Sequence, residues 1–227
     1  MIARLVNRIK LYRQLCFFKY LYLNYFCKQV IRTDSSHIIP YKGSVIDLEK
    51  NARIYLGGGD LEIGCDHLRG SKAETRIRLR ENAVWSSEGG CRVAYGSTVE
   101  ILHDALLDSR FFTLNCSSTV VAAKKIQLGQ DVMAGRNVVI YDSDFHTILN
   151  TQHELMNPDA PVTIGDHVWL ATNVTVLKGS SIGPGSIIAA NSVVHETVPS
   201  GVIYQSGKFR QNYGEWRREH PQEQEQK

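Results

Sequence analysis

The chain has 227 residues, 43% of them hydrophobic, and a net charge of +3. This length and composition suit one globular domain with a small appendage. The positive charge is not spread as a nucleic-acid-binding face requires: Arg4, Arg8, Lys10, Arg13, Lys19, Lys28 and Arg32 sit in residues 1–33 without an acid, and the remainder is −4. Five cysteines, Cys16, Cys27, Cys65, Cys91 and Cys116, form no CxxC pair. An odd, scattered set fits free thiols in a reducing cytoplasm and implies neither disulfides nor a metal site.

Charges interrupt residues 1–33 every few positions, so this stretch reads neither as a signal peptide nor as a membrane span. Ile2, Leu5, Ile9, Tyr12 and Cys16 keep helical spacing, which predicts amphipathic helices within an N-terminal segment, residues 1–42. Packing against the body of the protein or a neighbouring subunit is the favoured role. The alternative is a basic, aromatic-rich surface in peripheral contact with the inner membrane.

From about Gly43 the chain becomes strand-like. Leu48, Ala52 and Ile54 begin a loose six-residue pattern, and Leu79, Ala83 and Trp85 continue it, then Tyr95, Val99, Ile101, Ala105 and Leu107. Shifts of register near 89–94 and 111–116 predict short loops. The beat is regular through Cys116, Ala122, Leu128, Ala134 and Ile140, and again through Ile164, Leu170, Val176, Ile182, Ile188 and Val194. Four residues after the aliphatic position comes a second inward series, Val132, Val138, Val168, Val174, Ser180, Ser186 and Ser192. Hexapeptide periodicity of this kind predicts a parallel β-helix. The aliphatic residue fills a triangular prism, a small or β-branched residue fits near the corner, and Gly or Asn relieves strain at the turns. The predicted organisation is a β-helix over 43–203, interrupted by a loop over 142–161. A C-terminal extension follows over 204–227, and its last residues, PQEQEQK, have the composition of a disordered tail.

Two stretches carry a family resemblance. Val162–Val194 reads as an Ile-Gly-Asp-x-Val-Trp run, then successive hexads, then a Ser-Val-Val close. Val139–Ile148, VIYDSDFHTI, is similar to a catalytic segment in which an acidic loop ends in histidine. The chain thus resembles the hexapeptide-repeat acyltransferases, closest to bacterial enzymes that O-acetylate sugars and surface polysaccharides, strongly over 112–203 and more loosely over 43–111. The resemblance implies an all-β, left-handed parallel β-helix, a homotrimer, acetyl-CoA as acyl donor and a carbohydrate acceptor. It implies that His146 is the catalytic histidine, that Asn115 helps hold the acceptor hydroxyl, and that Trp169 stands beside the cleft. Thr172 and Ala190 would run along the CoA arm. The family's Thr-Lys after Ser-Val-Val is His195 and Glu196 here, so the cation near the CoA phosphates is displaced, with Lys208 or Arg210 as substitutes.

The residue chemistry agrees. A sugar hydroxyl attacks a thioester only as its proton leaves, and an unperturbed histidine titrates near pH 6.5. His146 lies where the apolar beat lapses, at the root of a loop on a rigid scaffold. Asp142, Asp144 or Glu154 would orient its ring, with Asp144 preferred; the competing reading of both aspartates is turn formation. Trp169 faces outward and calls for cover by a ligand or a neighbouring subunit. Cys116 points inward on its hexad position, which speaks against an acyl-enzyme. No metal is implied, since no three histidines have converging spacing. The sequence therefore predicts a cytoplasmic acetyl-CoA-dependent O-acetyltransferase. An N-acetyltransferase on a nucleotide-linked amino sugar and a non-catalytic β-helix scaffold are the alternatives.

Overall fold

The structure, a computed structural model, describes residues 14–33, 35–210, 214 and 216–218. Three sheets of eight, nine and seven strands form the faces of a triangular prism among the described residues. Each strand pairs with the third strand before and after it in the chain, so every coil contributes one strand to each face. Pairing is parallel except for the last hairpin, Ile203–Gln205 with Lys208–Arg210. The all-β, left-handed parallel β-helix predicted from the hexads is the fold of this chain.

The reason is visible in the core. Leu128, Ala134, Ile140, Ile164, Leu170, Val176, Ile182, Ile188 and Val194 stack in the prism, all buried. Each large aliphatic side chain so buried contributes roughly 1.5–3 kcal/mol. The second inward series is buried as well, including Ser180, Ser186 and Ser192. The first two serines bond the backbone of the next coil, Ser180 Oγ to the Val194 carbonyl at 3.0 Å and Ser186 Oγ to the Pro199 carbonyl at 2.8 Å. Ser192 Oγ is buried without a partner among the described residues. Asparagines hold the corners: Asn137, Asn173 and Asn191 all have φ near +60° and link through their side-chain amides at 2.9 and 3.0 Å. Asparagine tolerates that left-handed geometry better than most residues.

Several boundaries differ from the sequence reading. The prism begins ahead of residue 43, since Val30–Arg32 and Ile38–Pro40 already pair into the first and second faces. The expected loops at 89–94 and 111–116 contain the strands Cys91–Ala94 and Phe112–Leu114, stacked in register. The hexad count failed there because the coil corners, not the strands, vary in length. Cys116 is half-buried at a corner beside Ala94 rather than inside the prism. At the N-terminal end, helix α1 (Phe17–Leu21) runs into a π turn, Tyr22–Phe26, and caps the first coil. The helical expectation for 1–13 and the tail expectation for 219–227 lie outside the described residues.

Candidate active site

The loop after Val139–Tyr141 is anchored by its acids. Asp142 is fully buried and accepts the backbone N–H groups of Ala123, Lys124 and Lys125 at 2.6, 2.8 and 2.6 Å. Asp144 accepts from Lys178 Nζ at 2.6 Å and Asn157 Nδ2 at 2.9 Å. These bonds, the Lys178 one foremost, hold its carboxyl below the ordinary carboxylate range. Glu154 is bonded to Asn150 Nδ2 at 2.8 Å. Asp144, expected to orient the imidazole of His146, is thus turned to Lys178. Its influence on His146 runs through Asn157, whose Nδ2 also donates to the His146 carbonyl at 2.8 Å. Local charge pairing decided this: a lysine partner 34 residues further along the chain was not visible in the sequence.

His146 itself is exposed and lines a cavity of about 460 Å³ with His103, Ser143, Phe145, Asn157 and Asp159. This cavity lies where the third face turns into the first. His103, two coils earlier, was not singled out by sequence.

A larger cavity, about 660 Å³, runs along the second face to its edge with the third. Asn115, Trp169, Thr172 and Ala190 all line it, so four of the expected site residues are brought together. Its floor is made of small residues. A Cβ on Gly135 would stand 3.0 Å from the Ala171 carbonyl carbon and the Thr172 nitrogen, so this wall stays low because it must. Asn115 Oδ1 accepts from the Cys116 N–H at 2.7 Å, which orients its amide group at the cavity wall.

Lys208 does not line this cavity; it lies exposed in the final hairpin. The cations there are Arg92, Arg136 and Arg218, none of them predicted. Arg92 is paired with Glu62 at 3.1 Å and Asp66 at 3.3 Å. Arg218 bonds Asp131, the Thr113 hydroxyl and the Val132 carbonyl. Arg136 is exposed at the rim. Trp169 is half-buried, and its cover comes partly from its own chain: the Trp216 ring lies 6.1 Å away. His167 is half-covered by the same tryptophan.

The two cavities open on opposite edges of the third face. A four-residue strand of that face, such as Thr119–Ala122, spans roughly 13 Å. His146 and Asn115 therefore do not meet within one chain.

Residues 161–196 match the family model for the bacterial transferase hexapeptide (six repeats). The chain is 30% identical over 112 residues to the galactoside O-acetyltransferase of Escherichia coli K12, covering 48% of this chain and 51% of that protein. It is 39% identical over 66 residues to the polysialic acid O-acetyltransferase of Neisseria meningitidis, covering 29% and 31%. The crystal structure of the polysialic acid O-acetyltransferase OatWY superposes with a TM-score of 0.58 at 22% identity, covering 84% of this chain and 91% of that one. The chain spans about half the length of the first curated relatives it matches. It is a hexapeptide-repeat β-helix protein, and its curated homologues include bacterial O-acetyltransferases.

Proposed function

We propose that this protein is an acetyl-CoA-dependent O-acetyltransferase acting on a hydroxyl of a bacterial surface polysaccharide or its sugar precursor. The observation that carries the reading is the small-floored cavity that gathers Asn115, Trp169, Thr172 and Ala190. Its length suits an extended thiol ester, and Arg136 and Arg218 supply cations for phosphates in place of Lys208.

The separation of His146 from that cavity favours a homotrimer. A cyclic trimer is built from heterologous contacts, in which one patch of a protomer meets a different patch of the next. Two half-sites on different edges of a prism are what such a contact joins. His146 of one protomer would then face Asn115 of its neighbour.

In this arrangement the imidazole of His146 takes the proton of the acceptor hydroxyl as the oxygen attacks the thioester carbonyl. The tetrahedral intermediate collapses, the C–S bond breaks, and the imidazolium returns the proton to the leaving CoA thiolate. Asn115 holds the acceptor oxygen, and Asp144 with Asn157 positions the loop that carries His146. A cytoplasmic setting fits the free thiols of all five cysteines.

The acceptor end of the site favours an extended saccharide. Cys65, Asp66 and Arg92 line both the large cavity and an adjoining one of about 420 Å³. The combined groove continues past Asn115 to Glu62 and His67, a lining of hydrogen-bonding groups suited to hydroxyls.

Thiol release from acetyl-CoA against a panel of glycans, with wild type and His146→Ala side by side, tests the proposal. Acceptor-dependent release that collapses in the variant supports it. Release that survives moves the base elsewhere, and transfer to amino sugars alone would make the protein an N-acetyltransferase. No release with any acceptor, and no binding of acetyl-CoA, would leave a scaffold.

A further inference from the structure

The helical segment at the N-terminal end of the prism has two unlike sides. Leu23, Asn24 and Cys27 face the prism and are buried. Leu23 joins the core, and the Asn24 amide bonds both the N–H and the carbonyl of Ile38, at 2.8 and 2.7 Å, sealing the open edge of the second face. The other side carries Phe17, Phe18, Tyr22, Tyr25 and Phe26, with Phe18 84% and Phe26 72% exposed. The spacing 18, 22 and 25–26 puts these rings along one side of the helical turn. Large rings gathered in the open mark an interaction surface.

We infer that this aromatic side docks on an anionic lipid surface. Two observations select lipid over protein. The rings are Phe and Tyr, the kind of side chain that settles at the boundary between headgroups and acyl chains. The segment that carries them is basic: residues 1–33 hold seven Lys and Arg and no acid, and Asp60, close enough to act on Tyr20, is engaged by the His37 N–H. Among the described residues, Lys19, Lys28 and Arg32 have no carboxylate partner. The Arg32 guanidinium instead donates to the Asn24 carbonyl and lies 5.7 Å over the Tyr25 ring.

The other occupants fit less well. A second copy meeting this face across a two-fold axis would set like charge against like. Residues 1–13, folded back as a cover, would bring Arg4, Arg8, Lys10 and Arg13 with no acid. A bilayer containing anionic lipid matches both the rings and the cations. The contact is a surface one, since no described helix is long and apolar enough to cross a membrane. No residue of Phe17–Phe26 lines the three cavities described above, although Gln14, three residues before the helix, lines the acceptor groove.

The test is co-sedimentation of the full chain with vesicles of phosphatidylcholine alone, or with about one-third phosphatidylglycerol, at low and high salt. Binding should favour the anionic vesicles by at least about tenfold and weaken as salt rises. The double variant Phe18→Ser, Phe26→Ser should lose at least about tenfold in binding with its melting temperature and oligomeric state unchanged. Absence of binding, or equal binding by the variant, overturns the inference. A variant whose oligomeric state changes would assign the face to a second copy and overturn it too. The readout involves no acetyl transfer, so its outcome is separate from that of the proposed activity.

Discussion

The imidazole of His167 lies flat on the indole of Trp216, ring centroids 4.0 Å apart and planes 4° from parallel. His167 Nδ1 lies 2.7 Å from the Asp131 carboxylate, and Nε2 lies 3.0 Å from the Trp216 carbonyl. The indole N–H donates to the His167 carbonyl at 3.0 Å. Arg218, two residues on, closes the clasp on Asp131. Trp216 and Arg218 thereby lie over the second face, where the one shields Trp169 and the other lines the large cavity. Trp216→Ala should cost about 1–3 kcal/mol of stability, less than a deep core truncation because the ring is at the surface of the prism. It should also raise KM for acetyl-CoA with little change in kcat. Thermal melting and steady-state kinetics check both.

The same clasp is acid-sensitive. Burial acts to raise the Asp131 pKa, but the hydrogen bonds from His167 and Arg218 outweigh it and hold the carboxyl below its ordinary value. A depressed carboxyl stabilises the fold above its unfolded pKa, near 3.9, and the contribution is lost as pH falls through the folded value. Melting temperature should therefore fall below about pH 4, and Asp131→Asn should show a shallower fall over that window. Equal slopes would remove Asp131 from the account of acid stability.

Asp142 and Asp144, two residues apart, should respond in opposite ways. Asp142→Ala strands three backbone donors at the Ala123–Lys125 turn and should cost about 3 kcal/mol or more. Asp144 is exposed and held by Lys178, so Asp144→Asn should leave the melting temperature nearly unchanged. It should lower kcat by about tenfold through misplacement of the His146 loop, with KM for acetyl-CoA unaltered. Urea unfolding and kinetics on the pair separate the structural acid from the positioning one.

Two serines at successive corners of one coil offer a cleaner comparison. Ser186 Oγ is buried and bonded to the Pro199 carbonyl, so Ser186→Ala should cost about 1 kcal/mol. Ser192 Oγ is buried with no partner among the described residues, so Ser192→Ala should be neutral or stabilising. Denaturant midpoints of the two variants test whether hydrogen bonding, rather than size, sets the cost at these corners.

The fold was legible because a six-residue beat places the same side chain in the same environment in every coil, and Leu128 to Val194 obeyed it. The beat failed at Cys116, where a corner shifts the count, and at Cys91–Ala94, where the strand is regular but its connection is not. The cavity residues Asn115, Trp169, Thr172 and Ala190 were reachable through the family resemblance, position by position, and not through the periodicity alone. Partners that depend on folding back were not. Trp216 reaches His167, and Lys178 reaches Asp144, across separations that carry no periodic signal. The arginines Arg92, Arg136 and Arg218 come from coils far apart in sequence and gather only when the prism stacks. Asp142 and Asp144 were indistinguishable by residue type, yet one is fully buried and the other exposed.

The central claim is that His146 and Asn115 serve one site from different protomers. Co-expression of differently tagged His146→Ala and Asn115→Ala chains, with purification of mixed oligomers, tests it most directly. Each variant alone should be inactive. In the purified mixed trimers about one site in three would pair an intact His146 with an intact Asn115 across an interface, and about a third of wild-type activity should return. Mixed oligomers as inactive as the parents would contradict the shared site and place both residues in one protomer or outside the chemistry.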